Sequence, residues 1–491
     1  MLKFIKLKKL NKKYIILFLF LFLFLIAVWQ TNKPLPKNIN YISPKIPLQD
    51  SQINFLYDLT YTDNQGDIAH EQQIFDELIK DIKNAQEYIL VDMFLFNSWL
   101  GKATTSYRSL AGELTSALIK QKTKYPNLQI DLITDPINIV YGGDISPELE
   151  SLKKAGVNII ITNLKPLRDS NPVYSTLWRI FFQWLGNHTW PRWVKHPFSE
   201  TTNKVSLRSY LSLLNFKANH RKTFLADSGE NFVSIIMSAN PHNSSSAHSN
   251  VAMKIIDNNF AHELWRSEQA VAKMSKTNLR PFPQKENRIS TSTKNTAQLI
   301  TEKQIKDALI SAFDSSISGD EINMAMFYLS NQDIIKSLIK ASKREVKIKI
   351  ILDSNRDAFG YEKGGIPNRE VASELIKKSN NKIKIRWYNT HGEQFHSKLS
   401  FIKNQNNQSK IILGSANLTK RNIDNYNLET NISISTEKDS PIFEKIESYF
   451  NLIWNNEENK NFTVNYTTYE DNSFFKKLSY HFQEWSGLSS F

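Results

Sequence analysis

Two short stretches of the chain set a histidine and a lysine two positions apart inside apolar runs. They are His220 and Lys222 in NHRKTFLAD, and His396 and Lys398 in FHSKLSFIK. In an extended strand residues i and i+2 face one side, so each pair projects together. A serine and an asparagine follow each pair: Ser238 and Asn240 in MSAN, Ser415 and Asn417 in GSAN. Brought to one seam, two imidazoles, two ammonium groups and two amides have the charge and donor geometry for a phosphate. The chemistry that needs this set is phosphodiester cleavage by a covalent route. One neutral imidazole attacks phosphorus, and a protonated one on the far side gives its proton to the leaving oxygen. Fixed lysines and amides stabilise the charge gained by the phosphoryl oxygens, a single such donor being commonly worth about 2.7–4 kcal/mol. The lysines supply the positive charge, so the scheme requires no metal and no other cofactor.

One H-x-K taken alone is most often a surface strand, but spacing changes its meaning. The two histidines lie 176 residues apart, the two lysines likewise, and Asn240 and Asn417 lie 177 apart. The flanking elements repeat in the same order. Helical IFDELIKDIKNA leads to the apolar strand YILVDMFLFN, as QIKDALISAF leads to INMAMFYLSN. Strand patterns LQIDLITD and VKIKIILD each end on an acid; helices ending LESLKKAG and ASELIKKS then precede VNIIITN and KIKIRWYN. This alternation predicts an α/β protein of two similar sandwich halves about a pseudo-twofold axis. The expected parts are a basic end over 1–13, an apolar segment over 14–29, a proline-marked tether over 30–50 and a first half over 51–276. A polar linker over 277–297, a second half over 298–460 and a C-terminal extension over 461–491 complete the division.

One region breaks the symmetry. The first half inserts Leu164–Ala218, holding four of the ten tryptophans beside Arg179, Arg192 and Lys195. Val173, Leu177, Phe181 and Trp184 follow helical spacing, which fits core packing. The expectation favoured here is an interfacial patch at lipid headgroup level, because the second half folds without such a segment. His242 and His248 in the loop NPHNSSSAHSN, with His188, His196 and His391, have no partner pattern and read as loop residues. Gly142-Gly143 and Gly364-Gly365 read as turns, since neither opens a P-loop pattern.

The two H-x-K strands, each followed by S-x-N, resemble the phospholipase D superfamily, specifically its two-motif members such as bacterial cardiolipin synthases and phospholipases D. The resemblance runs over about residues 50–460, and implies that both sandwich halves are phospholipase D-like. His220, Lys222 and Asp227 fit the full H-x-K-x4-D pattern, whereas Lys403, followed by Asn404, stands where the second motif has aspartate. The family assigns that acid a supporting role, so the departure bears on rigidity in the second half. The resemblance also implies a residue that orients each histidine: Glu429 in NYNLETNISI for His396, and Asn250 in AHSNVAMKII for His220. A carboxylate raises the pKa of its histidine and an amide does not. This pairing makes His396 the protonated general acid and His220 the neutral nucleophile. Ser238, Ser415 and Asn250 are expected next to substrate.

Composition narrows the setting. The 491-residue chain has no cysteine, which excludes disulfides, thiolate metal sites, cysteine nucleophiles and a lipoprotein anchor. Its net charge of +14 suits an anionic partner, a phospholipid or a nucleic acid, and six lysines crowd into residues 1–13. Tyr14–Trp29 is apolar on every face and lacks small residues placed for cleavage, so an uncleaved anchor is expected rather than a signal peptide. Lysines before it stay cytoplasmic, which sets the body on the periplasmic or extracellular side of a bacterial membrane. The sequence reading is therefore a membrane-tethered phosphodiesterase of the phospholipase D type. It hydrolyses or transphosphatidylates glycerophospholipids through a phosphohistidine, and no obligate protein partner is expected. The rivals are a membrane-anchored nuclease on the same scaffold and a catalytically silent binding module.

Overall fold

Each H-x-K strand splits its side chains between two apolar layers. In Lys222–Ser228, Phe224 and Ala226 join the core under helices Ile74–Asn84 and Leu110–Lys124, while Leu225 faces the other half. In Lys398–Lys403, Ile402 packs outward toward Lys303–Ser315 and Gln332–Lys343, while Leu399 and Phe401 face inward. A one-residue slip would exchange these layers, so burial fixes the register. The structure is a computed structural model that describes residues 12–102, 106–199, 204–285, 294–358, 361–362, 364–406 and 408–488. Residues 1–11 of the basic end and 286–293 of the expected linker lie outside the described residues.

The first sheet runs, edge to edge, Ile68–Gln72, Ile53–Thr62, Asn250–Ile256, Asn231–Met237, Lys222–Ser228, Tyr88–Met93, Gln129–Thr134 and Asn158–Ile161. The second runs Ile46–Leu48, Asn295–Thr301, Thr430–Thr436, Ser409–Gly414, Lys398–Lys403, Glu321–Met326, Lys347–Asp353, Ile383–Tyr388 and Thr463–Asn465. Omitting the edge strands Ile68–Gln72, Ile46–Leu48 and Thr463–Asn465, the order of one sheet matches that of the other strand for strand. The last three strands of each matched series are parallel and the rest antiparallel. The inner faces share one core with helices Asn258–Met274 and Pro441–Asn455, through residues such as Phe260, Leu264, Phe443 and Ile446.

Three segments read from sequence as connections carry structure. Within the tether, Ile46–Leu48 is an edge strand of the second sheet, paired Ile46 to Ala297. Strand Asn295–Thr301 begins inside the expected linker. In the C-terminal extension, Thr463–Asn465 pairs with Ile383–Tyr388, and helix Phe474–Ser486 follows.

Among the described residues one helix, Lys12–Asn32, is long and apolar enough to cross a membrane. Its foot is tied to the insertion: Arg168 Nε donates to Lys33 O at 2.8 Å and the Asp169 N–H to Gln30 O at 3.1 Å. The insertion continues as helix Pro172–Leu177, which packs on Lys12–Asn32, and a further helical turn over Trp178–Phe182. Val173, Leu177, Phe181 and Trp184 do share helical spacing, but all four side chains are exposed. Core packing is therefore not what this stripe does.

Candidate active site

The residue before each histidine is pinned by the acid at the end of a parallel strand. The Asn219 N–H donates to Asp135 Oδ2 and the Phe395 N–H to Asp353 Oδ2, both at 2.7 Å. These are the acids that end LQIDLITD and VKIKIILD, which explains their repetition. Phe94 and Phe327, at matching places after the neighbouring strand, pack their rings 4.7 and 5.0 Å from His220 and His396.

The two halves then cross. Asn219 forms a parallel bridge with Leu428, and Ser249 with Phe395. The His220 N–H donates to Leu428 O at 2.9 Å, and the Ser249 N–H to Gln394 O at 3.1 Å. Residue 429 therefore lies beside 220, and residue 250 beside 396. His220 Nδ1 meets Glu429 Oε1 at 2.8 Å, and His396 Nδ1 meets Asn250 Oδ1 at 3.2 Å. This corrects the pairing expected from sequence: the carboxylate serves His220 and the amide serves His396, each reaching across from the opposite half.

The serines sit behind these partners. Ser238 Oγ donates to Asn250 Oδ1 at 3.1 Å, and Ser415 Oγ donates to Glu429 Oε2. Neither serine, nor Asn250, lines the cavity described below. All three orient a histidine or its partner instead of meeting substrate, which corrects the expectation. Asn240 and Asn417 do line the cavity, with Asn240 Oδ1 accepting from the Leu95 N–H at 3.2 Å. Lys222 Nζ donates to His220 O at 2.7 Å and Lys398 Nζ to His396 O at 2.8 Å. Both ammonium groups lie just behind the cavity wall, facing Phe94 and Phe327.

Asp227 is a tie, not a reactant. Its carboxylate accepts from the N–H groups of Gln86, Glu87 and Tyr88 at 2.8–3.2 Å, where the neighbouring strand begins. In the second half Lys403 pairs with Glu447 at 2.7 Å instead. There the tie is made from the other strand: Asp320 Oδ1 accepts from the Gln405 N–H at 2.9 Å. The departure from the motif thus moves the carboxylate across the strand pair without leaving the junction loose.

His220 and His396 share one cavity of about 520 Å³. Burial drives the His220 imidazole down to about 4, with Glu429 pulling it up and Lys222 pushing it further down. Burial also holds His396 well below its ordinary value, and Lys398, His248 and Lys222 add to the effect. Burial lowers the Lys222 amine to about 7, opposed by Glu429, Asp92 and Asp135. Burial disfavours charge on Glu429 too, but His220, Lys222 and Ser415 outweigh it and hold its carboxyl below the usual range. A phosphodiester anion between the rings would reverse the histidine shifts, because opposite charge favours imidazolium.

His242 and His248, read from sequence as loop residues, are buried in the cavity wall, with the His248 ring 5.9 Å from His396. The second half has no counterpart to them, so the duplication gave no signal. The rest of the wall is mostly apolar. Trp99, Ile137 and Tyr141 meet Phe198, Leu213 and Phe216, the last three from the insertion.

Fold and site together bring one histidine and one asparagine from each of two like halves to a single cavity. Residues 309–454 match a family described as "Cardiolipin synthase, PLD-like domain". A crystal structure of phosphatidylserine synthase from Haemophilus influenzae Rd KW20 shares the fold, with TM-score 0.57, 12% identity, and coverage of 92% of this chain and 97% of that one. The phospholipase D family member Nuc from Salmonella typhimurium aligns at 21% identity over 34% of this chain and 97% of its own, with TM-score 0.26. No curated protein matches the sequence. The family match thus lies within the second half of the chain, and over the whole chain the likeness to the synthase is one of fold.

Proposed function

We propose that the protein is a membrane-anchored phosphatidyltransferase or phosphodiesterase that acts on glycerophospholipids through a phosphohistidine on His220. The observation that carries this is the crossed arrangement of unlike partners around one cavity. With Nδ1–H held by Glu429, neutral His220 presents the Nε2 lone pair to phosphorus. As the N–P bond forms and the P–O bond breaks, its ring becomes cationic, and the buried carboxylate stabilises that charge. His396, backed only by a neutral amide, makes the more acidic imidazolium and passes its proton to the leaving alcohol. Neutral His396 then takes a proton from water or an incoming alcohol, which attacks phosphorus and frees His220. The division of labour is the one expected from sequence, but for a different reason: the carboxylate supports the nucleophile. Lys222, Lys398, Asn240 and Asn417 supply fixed positive charge and donors for the phosphoryl oxygens.

The lining supports lipid over nucleic acid. Single strands call for aromatics in a basic groove. The wall cations here are committed, Lys217 to Asp169 at 2.6 Å and Arg421 to Gly487 O at 3.0 Å. The family description and the fold neighbour both name phospholipid synthases, in accord with this substrate class. We take 51–276 and 298–460 as the two catalytic halves and Lys12–Asn32 as the anchor, with the body on the periplasmic or extracellular side of a bacterial cell membrane. Trp184, Trp190 and Trp193, each at least 68% exposed, then lie at headgroup level. Incubating the full chain in vesicles with labelled phosphatidylglycerol, phosphatidylcholine and single-stranded DNA tests the reading. Lipid turnover is expected; DNA cleavage alone would replace it with the nuclease.

A further inference from the structure

Helix Phe474–Ser486 is amphipathic the wrong way round for a helix docked on a protein. At 3.6 residues per turn, Phe474, Phe475, Leu478, Phe482 and Trp485 fall on one arc. That arc points away from the body, with the five side chains 52–80% exposed. The opposite, polar arc makes the attachment. Tyr480, fully buried, donates through Oη to Ser330 O at 2.9 Å and accepts from Gln332 Nε2 at 2.7 Å. Glu484 accepts from Ser330 Oγ at 2.9 Å and from the Lys420 N–H at 3.0 Å. Specific polar contacts therefore fix the helix with its apolar face outward. An exposed stripe of this size marks a contact with another phase or partner.

What covers it follows from continuity with the anchor. The helix ends at Gly487, whose φ of +74° and close approach to Ser170 leave no room for a side chain: a Cβ there would sit 1.7 Å from Ser170 O. Ser170 and Asn171 open helix Pro172–Leu177, which packs on the anchor helix, and Asp169 is bonded to Gln30 at its foot. The outward arc is thus joined through one short segment to the point where the anchor leaves the body. The same end touches the cavity wall, because Arg421 donates to Gly487 O and stacks 5.1 Å over Phe216, and both residues line the cavity. Lys477 is exposed at the border of the apolar arc, where an ammonium can reach lipid phosphates while its stem stays among apolar groups.

We propose that Phe474–Ser486 is an in-plane membrane helix: its five apolar side chains insert into the lipid interface beside the anchor, and its end seats the cavity mouth at the bilayer surface. The proposal rests on reading Lys12–Asn32 as the membrane anchor. Amphipathic helices of this kind lie with their apolar face about 5–10 Å into the headgroup and acyl boundary.

The absence of cysteine makes the test direct. Single substitutions Phe475→Cys, Phe482→Cys and, as a distant exposed control, Lys80→Cys are spin-labelled in the full chain. The protein is reconstituted in phosphatidylglycerol–phosphatidylcholine vesicles, and accessibility to oxygen is compared with that to a water-soluble nickel chelate. Labels at 475 and 482 should be open to oxygen and shielded from nickel, with the label at 80 showing the reverse. Nickel access at 475 and 482 equal to that at 80 would overturn the proposal. So would dipolar broadening between labels at 482, which would show a second copy on the face. In the variant Phe475→Ser/Phe482→Ser/Trp485→Ser, the ratio of bilayer turnover to soluble-diester turnover should fall by about tenfold or more; an unchanged ratio would contradict the surface role. Depth is read without any turnover, so a protein that cleaves no lipid yet buries both labels would defeat the substrate reading and leave this helix in the membrane.

Discussion

Replacing Glu429 with glutamine keeps its shape but removes the charge that faces His220 Nδ1 at 2.8 Å. A hydrogen bond to a charged group contributes about 1.5–3 kcal/mol, against about 0.5–1.5 kcal/mol for a neutral one. The difference, about 1–2 kcal/mol, matters most once His220 carries phosphorus and its ring is cationic. Glu429 is completely buried, which strengthens electrostatics and sets the effect at or above the upper end of that range. The expected loss is about 30–100-fold in kcat/KM. The assay is a series of soluble phosphodiesters whose leaving groups differ in pKa, with the melting temperature of each variant measured alongside. Because Glu429 serves the nucleophile, Glu429→Gln should lose the same factor across the series. His396→Gln should recover as the leaving group improves, since a good leaving group needs no acid. A Glu429→Gln defect that fades with better leaving groups would show that the carboxylate serves the proton donor, and the assignment would be reversed.

Asp227→Ala and Asp320→Ala should each lower stability by about 2–4 kcal/mol in urea melts, because each leaves backbone N–H groups without their carboxylate. Lys403→Ala, which loses only a partly exposed ion pair with Glu447, should change it by less than about 1 kcal/mol. The pH profile of kcat/KM on a soluble diester should fall as pH rises through about 7, when the free enzyme's Lys222 ammonium releases its proton; activity level to pH 9 would show that this charge is not needed. Changing Trp184, Trp190 and Trp193 together to serine should leave the melting temperature nearly unaltered, as these rings are exposed, while raising the lipid concentration needed on bilayers. A large fall in melting temperature would show that they pack.

Much of the scaffold is legible in local patterns. Apolar periodicity finds the parallel strands and their helices, and constant offsets between like motifs reveal the duplication. His220, His396, Asn240 and Asn417 meet at one cavity as those offsets imply. What local pattern cannot carry is which half supplies a given contact. Glu429 follows Ser415 in sequence, yet the bridges Asn219–Leu428 and Ser249–Phe395 are interactions between halves and carry it to His220. Asp320 escaped notice because a tie between two strands can be made from either of them. His242 and His248 escaped because the signal used was repetition, and they are not repeated. The short edge strand Ile46–Leu48 contains a proline, and only its pairing with Asn295–Thr301 shows what it does. Helix Phe474–Ser486 has a clear apolar arc in sequence, but only its docked polar face shows that the arc points outward.

The central claim is a covalent intermediate on one particular histidine, and trapping it is the most direct test. The full chain is mixed briefly with phosphatidylglycerol labelled on phosphorus, quenched in base to preserve phosphohistidine, and digested for mass spectrometry. The account expects the phosphatidyl group on the peptide that holds His220, still present in His396→Gln and absent in His220→Ala. Label on His396, or none on either histidine while lipid is being turned over, would contradict it.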